Sequence, residues 1–109
     1  MSYNLILSAR FQKEAKRLVK KYPSLKSELA ELRNSLLESP SQGTPIGRSC
    51  YKIRISIASK NSGKSGGARI ITNVYIAGKT VYLLTIYDKS ELDNITDSEL
   101  TKILKDFPN

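Results

Sequence analysis

The run TVYLLTIY, residues 80–87, is apolar at odd and even positions alike. Successive side chains of a strand point to opposite faces, so both faces here are apolar and the segment belongs in the middle of a sheet. ARIITNVYI, residues 68–76, precedes it across AGK, a turn short enough to join the two as an antiparallel hairpin. CYKIRISI, residues 50–57, has a strict period of two: Tyr51, Ile53, Ile55 and Ile57 share one face, while Lys52, Arg54 and Ser56 share the other. The second half of the chain therefore predicts three antiparallel strands with one core face.

Ahead of these strands the period is helical. SYNLIL, residues 2–7, reads as a short strand, and Ser8 is suited to cap the helix that follows, its hydroxyl accepting from a first-turn amide. In residues 9–22 Phe11, Ala15, Leu18, Val19 and Tyr22 keep one stripe, leaving Lys13, Lys16, Arg17, Lys20 and Lys21 mainly on the other faces. Pro23 and Ser24 end that helix and begin a second, in which Leu25, Leu29, Leu32 and Leu36 align. So tight a connection predicts an antiparallel helical hairpin. ESPSQGTPIG, residues 38–47, with two prolines and two glycines, reads as a loop. Near the end, Thr96-Asp97-Ser98-Glu99 is a capping box opening a helix whose Leu100, Ile103, Leu104 and Phe107 face the core. The expected order is β-α-α-β-β-β-α, in a single α+β domain over residues 1–109, with helices over one face of a small antiparallel sheet.

Charge is segmental. Residues 1–26 carry seven Lys/Arg and one Glu, and residues 48–69 carry six Lys/Arg and no acid, within a chain of net charge +8. If the fold joins these blocks, their field attracts a polyanion such as RNA or an acidic protein; a soluble basic surface is the other reading. The chain has one cysteine and no histidine. An internal disulfide and a Ser-His or Cys-His nucleophile are thereby excluded, and a transition-metal site is not expected. The N-terminus lacks the order of a signal peptide and no run reaches the ~20 residues that span a bilayer, so a cytoplasmic protein away from membranes is expected.

Strand alternation puts Lys52 and Arg54 on the non-core face of one strand, and Arg69 opens the next. If these strands pair, the three cations converge, with Lys60 and Lys64 over them from the loop, either as phosphate contacts or as solvated loop lysines. Gly63, Gly66 and Gly67 let that loop approach a ligand backbone and form an anion-binding nest of amides. Like charges on neighbouring strands repel unless an anion joins them. Tyr87 ends the last strand, placed to stack on a base or to cover the sheet edge, and Lys89 follows it. An amine or phenol with a shifted pKa among such cations can move the proton of a ribose 2′-hydroxyl without metal or histidine, and arginines can stabilise the charge that develops on phosphorus.

The element order, CYKIRI, SGKSGGARIITNVYI and VYLLTIYDKSE resemble the RelE/ParE superfamily of bacterial toxin–antitoxin toxins, in particular its RelE and HigB branch. The resemblance runs from about Leu5 to Leu104, with segments 50–89 the most specific. It implies a small, metal-independent, ribosome-dependent endoribonuclease (an mRNA interferase) that needs no cofactor. Its partners are then the ribosome and its mRNA, and a cognate antitoxin, expected to be an acidic or partly disordered segment wrapping the helical hairpin or the basic face. By position, Lys52 and Arg54 match the family's paired basic residues, one a proton acceptor and both phosphate contacts. Arg69 matches the arginine that stabilises transition-state charge, and Lys89 the basic residue after the last strand. Lys13, Lys16, Arg17 and Lys20 would dock RNA or meet the antitoxin. The tyrosine some relatives carry near the terminal helix falls at Ile95, which cannot replace it, leaving Tyr87 as the substitute. The alternatives are a ParE-like toxin that inhibits DNA gyrase by protein binding, and a non-catalytic RNA-binding or degenerate toxin.

Overall fold

The structure, a computed structural model, describes residues 3–60 and 66–105. Its elements in chain order are β1 (Asn4–Leu7), α1 (Ala9–Lys21), α2 (Leu25–Glu38), β2 (Thr44–Gly47), β3 (Cys50–Ile55), a 3-10 turn at Ala58–Lys60, β4 (Ala68–Tyr75), β5 (Thr80–Asp88) and α3 (Asp97–Leu104). The five strands form one sheet in the order β1-β5-β4-β3-β2. The expected α+β class, helical hairpin, central hairpin and terminal helix are all present. Two features differ from the sequence reading. The sheet is mixed, because β1 pairs parallel to β5, and the segment read as a loop contributes β2, antiparallel to β3. β2 lies at the sheet edge, where Pro45 can stand opposite Tyr51 without a full ladder of amides.

Local capping follows the sequence. The Ser8 hydroxyl accepts from the Phe11 amide at 2.9 Å and donates to the Leu84 carbonyl at 2.9 Å, tying the start of α1 to the central strand. β1 ends opposite Leu83, and beyond it Glu14 on α1 takes over the exposed edge of β5, accepting from the Thr85 hydroxyl and the Ile86 amide. Leu84 is the extra residue of a bulge, since Ile71 faces Thr85 while Thr72 faces Leu83. Thr96 accepts from the Glu99 amide at 3.2 Å, but Glu99 spends its carboxylate on Arg10, so only half of the capping box forms.

The sheet is covered on both faces, whereas the sequence reading had helices over one. Phe11 and Leu18 of α1 and Leu25, Leu32 and Leu36 of α2 pack with Ile53, Ile70, Val81 and Ile86 on the first face. Leu100 and Ile103 of α3 pack with Cys50, Ile71, Leu84 and Tyr87 on the second. The doubly apolar pattern of β5 has this cause: each face of that strand meets a helix. Phe107, expected in the core, lies outside the described residues. No helix among the described residues is long and apolar enough to cross a membrane.

Candidate RNA-binding and catalytic face

Arg54 is paired in register with Arg69, and Arg69 with Tyr87, so the three form one row across β3, β4 and β5 on the second face. Lys52 stands two residues along β3 from Arg54, on the same face. The convergence expected from alternation is therefore present, made by antiparallel register alone. Its members differ in exposure. Arg54 is exposed and makes no ion pair among the described residues, whereas Arg69 is 4% exposed and donates to the Ala68 carbonyl at 3.2 Å.

Tyr87 is neither a sheet-edge cover nor an open platform for a base. Its ring is packed in the second apolar cluster, and its buried hydroxyl has no hydrogen-bond partner among the described residues. Burial pushes the phenol above its ordinary value, and the charge of Arg69 and the nearby Ile95 amide offset this only in part. The hydroxyl keeps its proton at neutral pH and can act as a donor.

The loop lysines separate. Lys60 is not over the basic row: its ammonium pairs with the fully buried Asp88 carboxylate, donates to the Ser90 hydroxyl and lies 5.4 Å from the Tyr22 ring centroid. Tyr22 donates to the other Asp88 oxygen at 2.9 Å, so Lys60 locks the loop to the helical side of the domain. Lys64 and Gly63 lie outside the described residues. Gly67 has a reason other than ligand approach, since a Cβ there would meet the Ile55 carbonyl oxygen at 2.0 Å. Lys89 donates to the carbonyl oxygen of Asp93 at 2.9 Å and pairs with its carboxylate.

Lys13, Lys16 and Lys20 are exposed on α1, which packs on the first face, so they form a second cationic surface on the other side of the sheet. Arg17, on the same helix, pairs with Glu91 at 2.7 Å, as Lys21 does at 3.5 Å. In the sequence Asp93 reads only as a loop or cap carboxylate and Asn94 carries no signal at all, yet Asp93 holds Lys89 and Asn94 Oδ1 lies 3.4 Å from Lys52 Nζ. Nothing in a loop spacing signals such a return.

A cleft of about 140 Å³ opens between Ile46, Lys52, Asn94, Thr96 and Leu100, next to the row. A larger apolar groove, about 430 Å³, lies away from it between β1, α1 and α2, with Lys26 and Arg33 among its lining residues. No three His, Cys, Asp or Glu among the described residues are grouped to hold a metal ion. The row aligns an exposed guanidinium, a nearly buried one and a buried phenol that keeps its proton, with Lys52 on the same face.

Residues 6–106 match the family model described as the RelE toxin of the RelE/RelB toxin–antitoxin system. Among solved structures, the chain is similar to the isolated E. coli RelE toxin, with 18% identity, a TM-score of 0.61 and coverage of 96% of this chain and 99% of that one. A free double mutant of E. coli RelE gives 22% identity, a TM-score of 0.60 and coverage of 98% and 99%. An E. coli RelE mutant in complex with the antitoxin peptide RelBc gives 22%, 0.61, and coverage of 94% and 93%.

Proposed function

Because this chain belongs to the RelE toxin family, we propose that it is the toxin of a toxin–antitoxin pair and cuts messenger RNA held on the ribosome. The observation that carries this reading is the register-built row Arg54–Arg69–Tyr87 with Lys52 beside it. In the proposed reaction Lys52 is the group that accepts the ribose 2′-hydroxyl proton; arginine cannot serve, because its guanidinium is not deprotonated in proteins. The 2′-oxygen attacks the adjacent phosphorus, and Arg54 and Arg69 stabilise the negative charge that grows on the phosphate oxygens. Tyr87, whose hydroxyl is buried in the free protein, gives its proton to the departing 5′-oxygen once bound RNA has opened a path to it, as the P–O5′ bond breaks. The product end is a 2′,3′-cyclic phosphate, or a 3′-phosphate once water has opened the ring.

No metal or cofactor takes part in this scheme. So sparse a site depends on substrate alignment, which the ribosome supplies by holding the mRNA in place. The exposed lysines of α1, on the far side of the sheet, fit a second role in docking ribosomal RNA through its phosphates. An antitoxin with an acidic, partly disordered segment would close the system; the apolar groove beside α1 and α2, with Lys26 and Arg33 in its lining, supports the helical hairpin as one surface for it.

The test is a translation reaction on a defined mRNA, with and without ribosomes and with and without EDTA in the ribosome-free arm, mapping RNA ends by primer extension. New ends that need ribosomes and are lost in Arg69→Ala support the reading. A folded, growth-inhibiting protein that yields none refutes it and turns attention to gyrase, read by a supercoiling assay.

A further inference from the structure

The end of β5 and the loop that leaves it carry three carboxylates, and each meets cations from a different part of the chain. Asp88 is buried against Lys60, Glu91 pairs with Arg17 and Lys21 on α1, and Asp93 pairs with Lys89. The first two fasten the loop to the helical side. Asp93 differs from them: its side chain is 93% exposed, and its partner Lys89 lies four residues before it on the same loop. Lys89 chiefly holds its carboxyl below the usual aspartate range, and the charges of Lys52 and Arg69 act in the same direction. Asn94 follows it with an oxygen 3.4 Å from Lys52 Nζ. One oxygen acceptor thus stands on Lys89 and another on Lys52.

We propose that Asp93 is an internal counter-anion, holding Lys89 in the free protein at a position that an RNA phosphate takes over on binding. This rests on the reading of the face as an RNA surface. The physical basis is exchange of like for like: a carboxylate and a phosphate both offer anionic oxygens to an ammonium. An exposed pair of this kind contributes little to stability, so the domain loses little when the loop gives Lys89 up. What the pair does instead is lower the net attraction of the face for RNA, a cost that disappears when the carboxylate is neutralised.

The experiment measures binding of a fluorescein-labelled single-stranded RNA decamer by anisotropy, for the wild type, Asp93→Asn and Glu31→Gln. Glu31 is exposed on α2, so its substitution removes the same charge from a distant surface. Asp93→Asn is expected to bind severalfold tighter than wild type at about 50 mM salt, with a log–log salt slope steeper by about 0.7, as one more cation becomes available to a single strand. Glu31→Gln should keep the wild-type slope. An equal gain in both variants, no gain in Asp93→Asn, or no binding by any of the three overturns the proposal. Failure of the nuclease reading is seen separately: a wild type that binds the decamer with this pattern but leaves no new mRNA ends retains the counter-anion and loses only the cleavage.

Discussion

Arg54 and Arg69 stand directly opposite each other across β3 and β4, the first exposed and the second nearly buried. Like charges opposed in this way destabilise a sheet, and a phosphate between them reverses the sign of the effect. Arg54→Gln should therefore leave stability within about 0.5 kcal/mol of wild type, or raise it, because an exposed position loses a repulsion and no ion pair. Cleavage should fall about 100-fold, the scale of losing one transition-state donor. With Arg69→Gln added, the combined loss should be smaller than the sum of the singles, since both cations serve one phosphate. Urea midpoints and single-turnover cleavage rates measure the two sides; a stability loss that tracked the activity loss would make Arg54 a structural residue.

Tyr87 offers a sharper separation of stability from activity. Its buried hydroxyl makes no well-formed hydrogen bond among the described residues, because the nearby Ile95 amide donates to Asn94 Oδ1 instead; a buried polar group left so costs up to roughly 1–3 kcal/mol of desolvation. Tyr87→Phe keeps the ring in the second cluster and removes the orphan, so the variant should be as stable as wild type or more so by about 1 kcal/mol. If the phenol gives its proton to the leaving oxygen, the same variant cleaves about 100-fold more slowly. Unchanged cleavage in a stabilised Tyr87→Phe would remove Tyr87 from the mechanism.

Much of this face is legible in local pattern, and what is not depends on distant pairing. The alternation of Lys52 and Arg54 and the apolar strands around Arg69 are enough to bring three cations together, because antiparallel register follows from short-range rules. The parallel pairing of β1 with β5 leaves no such mark: Asn4 meets Thr80, and nothing in SYNLIL states the direction of its partner. β2 is hidden for another reason. TPIG has turn composition and becomes a strand only because β3 presents an unpaired edge. Lys60 reads as a loop lysine until Asp88, 28 residues away, is found buried beneath it.

That buried carboxylate sets the acid response. Burial pushes the Asp88 carboxyl up, but Lys60, the amide and hydroxyl of Ser90 and the Tyr22 hydroxyl together hold it far below the usual range. A depressed folded value means that the unfolded chain takes up the proton first. The contribution is complete above the ordinary aspartate value of about 3.9 and is lost progressively as pH falls below it. Asp88→Asn should cost about 2–3 kcal/mol at neutral pH, less than a fully buried pair because Lys60 can reach water. It should also flatten the decline below about pH 4 relative to wild type. Urea unfolding across that range tests both, and parallel pH curves for the two proteins would mean that the carboxylate is not the group responsible.

Gly67 sits where the chain re-enters the sheet beside the basic row, and it separates a packing requirement from a ligand requirement. An added Cβ would lie 2.0 Å from the Ile55 carbonyl oxygen and 3.0 Å from the Ser56 Cα, both backbone atoms that cannot swing aside. The Gly67 carbonyl also accepts from the Lys89 amide at 3.0 Å, so displacing it moves the loop that carries Asp93. Gly67→Ala should then destabilise the domain by about 1–3 kcal/mol, the usual range for overpacking. Whatever protein remains folded should bind RNA less tightly, because Arg69, two residues on, shifts with the backbone. A glycine kept for an amide nest would behave differently, with wild-type stability and weakened anion binding. Thermal melts and decamer binding on the same preparation distinguish the two, and full stability in Gly67→Ala would rule out the close approach of β3 as the reason for this glycine.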